Sequence, residues 1–255
     1  MKLLDNELVF FPDNEIKSTP AKVGLEFDDI FFFTSDGVKL HGWFVSAQSE
    51  TTLLWLHGNA GNISHRIDNL LMIHRYLNVN IFIFDYRGYG LSEGIPSEQG
   101  LYLDSEAACE FLSCKLDIKI DKQLVIFGRS LGSSIGINLA TKRKFRNLIL
   151  ESSFTSFSDI ARIIYPTIPI SYMMKMIESR FDSITKIGFV NTPVMFIHGD
   201  QDRMVPIEIG RDLFNAANEP KHFYVIENAD HNDTYLIGGE LYFNAMKDFI
   251  ENTIL

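Results

Sequence analysis

One serine, Ser130, has neighbours that could make it a nucleophile. It lies in the run Gly128-Arg129-Ser130-Leu131-Gly132, after a short apolar stretch and before an apolar pattern with helical spacing. A strand, then Gly-x-Ser-x-Gly, then a helix is the pattern of a nucleophile elbow, a sharp turn that lifts the serine hydroxyl above a sheet. Glycines on both sides suit a place where strand and helix approach too closely for side chains. Ser130 is therefore predicted to be a catalytic nucleophile.

The best candidate for the base is His231, one of seven histidines. A serine nucleophile needs a general base, and that base needs an orienting acid. His231 lies in the polar stretch 227–233, between the last strand pattern and the last helical pattern. Four other histidines fall inside predicted strands or helices and are expected to be structural: His41, His65, His74 and His222.

The acid is expected in the stretch 198–206, directly after another strand pattern. Asp202 is favoured over Asp200, because Asp200 adjoins a glycine turn, where aspartates often bond their own backbone. Asp230 and Asp233 flank His231, but such close neighbours seldom reach the ring at a useful angle. Ser130, Asp202 and His231 also occur in a chain order known for serine triads.

Two backbone N–H groups are candidates for the oxyanion hole. The first belongs to Leu131, which follows the nucleophile. The second is expected from the loop 57–62, where Asn59 is favoured and Ala60 is the nearest competitor. His57 is expected to brace this loop, and Ser64 to cap the helix that follows.

The elements that position these residues alternate along the chain. A hairpin is predicted over 25–45, with its turn at Asp36-Gly37. Six apolar strand patterns follow, at 52–56, 80–84, 123–127, 147–150, 193–197 and 222–226, with helical patterns between them. This alternation predicts an α/β fold with a mostly parallel central sheet covered by helices on both faces. Sites in such sheets lie at the carboxyl ends of the strands.

Composition narrows the class of protein. The chain has 255 residues, 46% of them hydrophobic, and a net charge of −10, which argues against a nucleic-acid partner. No apolar run approaches the roughly 20 residues of a membrane span, and the charged start does not fit a signal peptide. Cys109 and Cys114 are five positions apart on one predicted helix, so their side chains point to different sides and are not expected to form a disulfide. Two unpaired cysteines favour a reducing, cytoplasmic setting. No cofactor or metal site is predicted, and oligomeric state stays open.

Five ordered motifs carry a resemblance to a known family. HGNAGN, FDYRGYGLSEG, GRSLG, HGDQDRMVP and ADHND together resemble the α/β-hydrolases, over about residues 10–249. The chain is similar to the serine-esterase branch that includes fungal and plant membrane-associated hydrolases and animal protein depalmitoylases. Many members of that branch carry an N-terminal membrane helix. This chain begins too close to Phe10-Phe11-Pro12 to hold one, so no transmembrane segment is expected, while peripheral membrane contact is left open.

The resemblance implies a triad of Ser130, Asp202 and His231, with Asn59 and Leu131 at the oxyanion hole. It also implies one hydrolase domain over 1–255 in which Asp85 and Arg87 are structural supports. A small cap is predicted after the sixth strand, at about 152–190. Its many Ile and Met side chains are compatible both with a pocket for an acyl chain and with plain packing.

The leading functional hypothesis is a serine hydrolase that cleaves carboxylic esters or thioesters of small acyl substrates through an acyl-enzyme. The alternatives are a serine peptidase for short peptides, with Glu151 or Glu178 as an anchor for the substrate amine, and a non-catalytic binding protein on the same fold. A dehalogenase is disfavoured because serine, not aspartate, holds the nucleophile position. Arg129 could bind a substrate anion at the pocket mouth, but pairing with a neighbouring acid is preferred.

Overall fold

The computed structural model describes residues 4–252. Eight strands form one sheet: β1 (Asp28–Phe33), β2 (Lys39–Val45), β3 (Thr52–Leu56), β4 (Asn80–Asp85), β5 (Leu124–Arg129), β6 (Asn147–Glu151), β7 (Val194–Gly199) and β8 (Lys221–Ile226). The strand order is β1-β2-β4-β3-β5-β6-β7-β8. The two contacts of β2 are antiparallel and all the others are parallel.

The helices alternate with these strands. They are α1 (Asp5–Leu8), α2 (Ile67–Leu77), α3 (Glu98–Leu116), α4 (Ile120–Gln123), α5 (Leu131–Lys142), α6 (Phe157–Ile164), α7 (Ile170–Met176), α8 (Ile207–Ala216) and α9 (Thr234–Asn252). Short 3₁₀ helices cover Pro20–Val23, Ile63–Arg66 and Ile187–Phe189. The predicted α/β class, with a mostly parallel central sheet covered by helices on both faces, is confirmed.

The sheet has a separate apolar core on each face because its strands alternate side chains between the faces. In β3, Leu54 and Leu56 join the core under α3, α5 and α8, whereas Leu53 and Trp55 join the core under α2 and α9. All five residues of β3 are buried, as expected of a central strand covered on both sides.

One local prediction is wrong. Ser64 does not cap α2, because it lies inside the 3₁₀ helix Ile63–Arg66, whose N-cap Asn62 accepts the Ser64 N–H at 2.9 Å. The chain enters a 3₁₀ turn there before α2 begins.

Helices α6 and α7 lie in the segment between β6 and β7, where the cap was expected at 152–190. Its status as a cap on a single domain stays a prediction. No helix within residues 4–252 is both long and apolar enough to cross a membrane.

Candidate active site

The backbone at Ser130 forms a strained turn between β5 and α5. Its φ of 52° and ψ of −114° are rare for a residue with a side chain. The turn depends on its glycines, since a Cβ on Gly132 would lie 1.9 Å from the Leu56 oxygen and one on Gly128 would lie 2.5 Å from the Gly132 oxygen. The Ser130 N–H donates to the Glu151 carbonyl at 2.9 Å, which ties the turn to β6.

The structure brings Ser130, His231 and Asp202 together from three separate loops. His231 Nε2 lies 3.2 Å from Ser130 Oγ, and His231 Nδ1 lies 2.8 Å from Asp202 Oδ2. Asp202 and His231 are buried, whereas Ser130 is partly exposed. This is the geometry of a nucleophile, a base and an orienting acid.

Asp202 is held as an anion. Its other oxygen accepts the Met204 N–H at 3.0 Å and the Val205 N–H at 2.7 Å. Burial alone would raise the pKa of Asp202. The hydrogen bond and positive charge of His231, with the Val205 N–H, outweigh burial and hold that pKa below its ordinary value of 3.8.

The competing carboxylates have other partners. Asp200 accepts the Asn228 N–H at 2.7 Å, so its role is structural, but it braces the loop after β8 and not its own backbone as expected. Asp230 accepts the backbone N–H of His231 at 2.8 Å and pairs with Arg203.

Arg129 fixes the loop that carries His231. Its Nε donates to Glu151 at 2.8 Å, and its terminal nitrogen donates to the His231 carbonyl at 2.5 Å and to Asn232 at 2.9 Å. The preferred interpretation, that Arg129 pairs with a neighbouring acid, is confirmed. Glu151 is fully buried and also accepts the Tyr242 hydroxyl.

The two predicted oxyanion donors lie beside Ser130. Leu131 is the first residue of α5, so its N–H has no acceptor inside the helix. The Asn59 N–H donates to no other residue within the described part of the chain. Both residues line the cavity in front of Ser130, and the competitor Ala60 does not. The Asn59 side chain is fixed by the Val9 carbonyl at 2.5 Å and the Tyr89 hydroxyl at 2.8 Å.

Comparison with known proteins gives the family. The family model for the alpha/beta hydrolase fold matches residues 51–169. The alpha/beta hydrolase domain-containing protein WAV2 of Arabidopsis thaliana is 38% identical over 251 residues, covering 91% of this chain and 81% of its own length. This chain is an α/β-hydrolase. Protein bem46 of Schizosaccharomyces pombe is 37% identical to it, covering 92% of this chain and 81% of its own length.

Solved structures agree on the fold. An esterase from Pyrococcus furiosus matches the hydrolase with a TM-score of 0.81 at 20% identity, covering 95% of this chain and 97% of its own. The esterase domain of a Rhodothermus marinus protein matches with a TM-score of 0.64 at 19% identity, covering 88% of this chain and all of its own.

A second histidine–aspartate pair lies at the base of the loop 57–62, here called the oxyanion loop after its predicted role. His57 Nε2 is 3.6 Å from Asp85 Oδ1, too far for a hydrogen bond, and both side chains are fully buried. Burial is the main cause that lowers the pKa of His57 to about 3 and raises the pKa of Asp85 to about 8. His57 Nδ1 bonds the Gly58 carbonyl at 2.7 Å, so the ring braces the loop, as the sequence predicts.

Arg87 is a structural support as well. It donates to Asp104 at 2.9 Å and to Asp36 at 2.8 Å, which ties the loop after β4 to α3 and to the first hairpin. No group of three or more His, Cys, Asp or Glu within residues 4–252 is placed to hold a metal ion.

Sequence reasoning missed one wall of the site. The segment 4–12, here called the strap, runs beside the loop 57–62, and its Leu8, Val9 and Phe11 line the cavity that contains Ser130. No local pattern links this apolar stretch to the elbow. Among the apolar residues expected in the cap, Ile160 and Ile164 line the cavity, whereas others such as Met173 and Ile177 are buried in the core.

Proposed function

We propose that this α/β-hydrolase cleaves carboxylic ester or thioester bonds of small acyl substrates, with Ser130 as the nucleophile. One observation carries the proposal: His231 lies 3.2 Å from the Ser130 hydroxyl and 2.8 Å from Asp202 through its two ring nitrogens. The proposal also agrees with the esterases among the structures that share the fold.

The mechanism has two stages. His231 Nε2 takes the proton of Ser130 as its oxygen attacks the acyl carbonyl, and the N–H groups of Leu131 and Asn59 stabilise the oxyanion. The proton then passes from His231 to the departing alcohol or thiol, which leaves an acyl-enzyme on Ser130. Water, deprotonated by His231, hydrolyses that ester in the second stage and restores the serine.

Asp202 acts through the histidine. Its Oδ2 holds the proton of His231 on Nδ1, which leaves Nε2 free to accept from Ser130, and its charge stabilises the imidazolium that forms. The N–H groups of Met204 and Val205 keep the carboxylate ionised and fixed in direction.

The surroundings of Ser130 favour an acyl group over a peptide. The cavity is lined mostly by aliphatic and aromatic side chains, which suit a hydrocarbon chain. Of the two anchors considered for a peptidase, Glu151 is buried and already bonded to Arg129, Thr234 and Tyr242, while Glu178 lines a different cavity. The complete triad geometry likewise weighs against a non-catalytic binding protein.

We also propose that the protein is cytoplasmic and that it is a single domain with a cap at 152–190. Cys109 and Cys114 are both free in the structure, and unpaired cysteines are typical of a reducing compartment.

The test is fluorophosphonate labelling of the wild type and of Ser130→Ala, with hydrolysis of p-nitrophenyl esters of two to sixteen carbons. We expect labelling of the wild type only, and a loss of about 10⁶-fold in kcat for the variant. Ser134→Ala is the matched control, since this buried serine of α5 bonds Ser183 and not the triad. A folded wild type that takes no label and turns over no ester would refute the proposal.

A further inference from the structure

The cavity in front of Ser130 is small, and it opens to the solvent on one side. Its volume is about 70 Å³. Buried side chains form the walls: Val9, Leu131, Phe154, Phe157, Ile160 and Val205. The mouth is formed by side chains that are 43–46% exposed: Phe11, Ile164 and Met204. A substrate therefore enters past an apolar rim and meets an inner end of buried apolar side chains.

The strap that lines this end is fixed to the segment after α7. The Leu4 N–H donates to the Met176 carbonyl at 2.8 Å. The two carboxylate oxygens of Asp5 accept the N–H groups of Glu178 and Ser179, each at 2.8 Å. These three bonds hold the first turn of the strap against the α6–α7 segment.

The other end of the strap is fixed to the oxyanion loop. The Val9 carbonyl accepts from the Asn59 side chain at 2.5 Å, and the Phe11 carbonyl accepts the Gly61 N–H at 3.0 Å. Val9 itself is only 1% exposed. With hydrogen bonds on both sides of it, Val9 is part of a fixed wall, and a longer acyl chain cannot displace it without breaking the support of Asn59.

The size of the cavity sets a limit on the acyl group. An apolar cavity of about 150 Å³ holds one benzene ring, that is, six carbons. A cavity of about 70 Å³ is roughly half that size, so it has room for about three carbons beyond the carbonyl. Building on the proposed ester hydrolysis, we propose that the enzyme prefers short acyl groups, from acetyl to butyryl, and that Val9 and Ile160 set this limit.

Val9 and Ile160 approach the cavity from opposite parts of the chain, one on the strap and one on α6. Shortening Ile160 to alanine would extend the cavity without touching the strap. Lengthening Val9 to leucine would fill the cavity without removing the carbonyl that holds Asn59. The two changes should therefore move the chain-length preference in opposite directions.

The experiment measures kcat/KM for p-nitrophenyl esters of two, four, eight, twelve and sixteen carbons, with active sites counted by fluorophosphonate labelling. The wild type should prefer two or four carbons and lose about tenfold or more at eight. In Ile160→Ala, kcat/KM for the eight-carbon ester should rise about tenfold relative to that for the two-carbon ester. In Val9→Leu, kcat/KM for the four-carbon ester should fall more than kcat/KM for the two-carbon ester. Ile187→Ala, which removes the same atoms from a buried position away from the cavity, should keep the wild-type profile.

A wild-type optimum at eight carbons or longer would overturn the inference while leaving the proposed hydrolysis intact. The same follows if labelled Ile160→Ala and labelled Val9→Leu both keep the wild-type profile. Wild-type protein that neither takes the label nor turns over any ester would instead refute the proposed function, and the length limit with it. Val9→Leu keeps the test decisive if Ile160→Ala does not fold, because it removes no buried atoms.

Discussion

Two of the histidine–aspartate pairs at the carboxyl edge of the sheet differ in hydrogen bonding, in the pKa of the carboxyl group and in access to Ser130. His231 and Asp202 follow β8 and β7, and their nearest side-chain atoms are 2.8 Å apart. His57 follows β3 and Asp85 ends β4, and their nearest atoms are 3.6 Å apart. His231 of the first pair lies within hydrogen-bond distance of the Ser130 hydroxyl, whereas both side chains of the second pair are fully buried at the base of the oxyanion loop.

The difference arises from what surrounds each carboxyl group. Asp202 accepts the N–H groups of Met204 and Val205 besides bonding His231. The hydrogen bond and charge of His231, with the Val205 N–H, outweigh burial, so the pKa of Asp202 lies below 3.8. Asp85 accepts the Ile63 N–H at 2.9 Å, but its Oδ2 has no partner within the described residues, and burial raises its pKa to about 8. The same two residue types therefore form an ionised carboxylate bonded to its histidine in one place and a neutral carboxyl beside a neutral histidine in the other.

The largest effect should separate the two histidines. His231→Gln should lower kcat by about 10⁴- to 10⁶-fold while the protein stays folded, because it removes the base. His57→Gln should instead lower thermal stability, by about 1–3 kcal/mol, since the ring packs on Tyr86 with centroids 4.3 Å apart. The folded part of the His57→Gln protein should have a kcat within about tenfold of the wild-type value.

Steady-state kinetics per mole of folded protein, with the folded fraction taken from circular dichroism and thermal melts, measure both effects. If fully folded His57→Gln lost as much turnover as His231→Gln, the distinction between the two pairs would be wrong.

The sequence placed Ser130, Asp202 and His231 in one site because each lies in the loop or turn that follows a strand. Such strands show as short apolar runs, and the carboxyl ends of parallel strands meet at one edge. Ser130, Asp202 and His231 could therefore be assigned to the same place without knowledge of any contact. The strands themselves were predicted nearly to the residue for the same reason.

The strap could not be predicted in this way. Its contacts join Val9 to Asn59, 50 positions away, and Asp5 to Ser179, 174 positions away. An apolar stretch near the N-terminus carries no signal of which distant loop it will meet. Within the cap, likewise, composition could not tell that Ile160 faces the cavity while Met173 is packed in the core.

A smaller loss of kcat tests whether Asp202 or Asp200 is the acid that orients His231. Asp202→Asn should lower kcat by about 10⁴-fold, because the amide favours the wrong histidine tautomer. Asp200→Asn is the control, two residues away; its carboxylate bonds the Asn228 N–H and does not reach the ring, so kcat should change by less than about tenfold. Equal losses of kcat in the two variants, measured per mole of folded protein, would contradict the assignment of Asp202.

The smallest effect concerns stability, and it sharpens the contrast between Asp85 and Asp202. The pKa of Asp85 rises from 3.8 to about 8 on folding, mainly because the group is buried. Below about pH 4 the carboxyl is protonated in both the folded and the unfolded chain, so its titration does not change the free energy of unfolding. Between about pH 4 and pH 8 only the unfolded chain releases this proton, and the folded state loses stability relative to it, by up to several kcal/mol.

Asp85→Asn removes that titration, so its free energy of unfolding relative to the wild type should rise between pH 5 and pH 8 in urea titrations. Asp202→Asn is the matched control. Because the pKa of Asp202 is lowered on folding, its carboxyl stabilises the folded state above about pH 4 and loses that contribution only as the pH falls further, so no comparable slope is expected from pH 5 to 8. A flat difference for Asp85→Asn would mean that Asp85 is ionised in the folded protein. Asp85 would then be an ionised carboxylate like Asp202, and hydrogen-bond geometry alone would distinguish the two pairs.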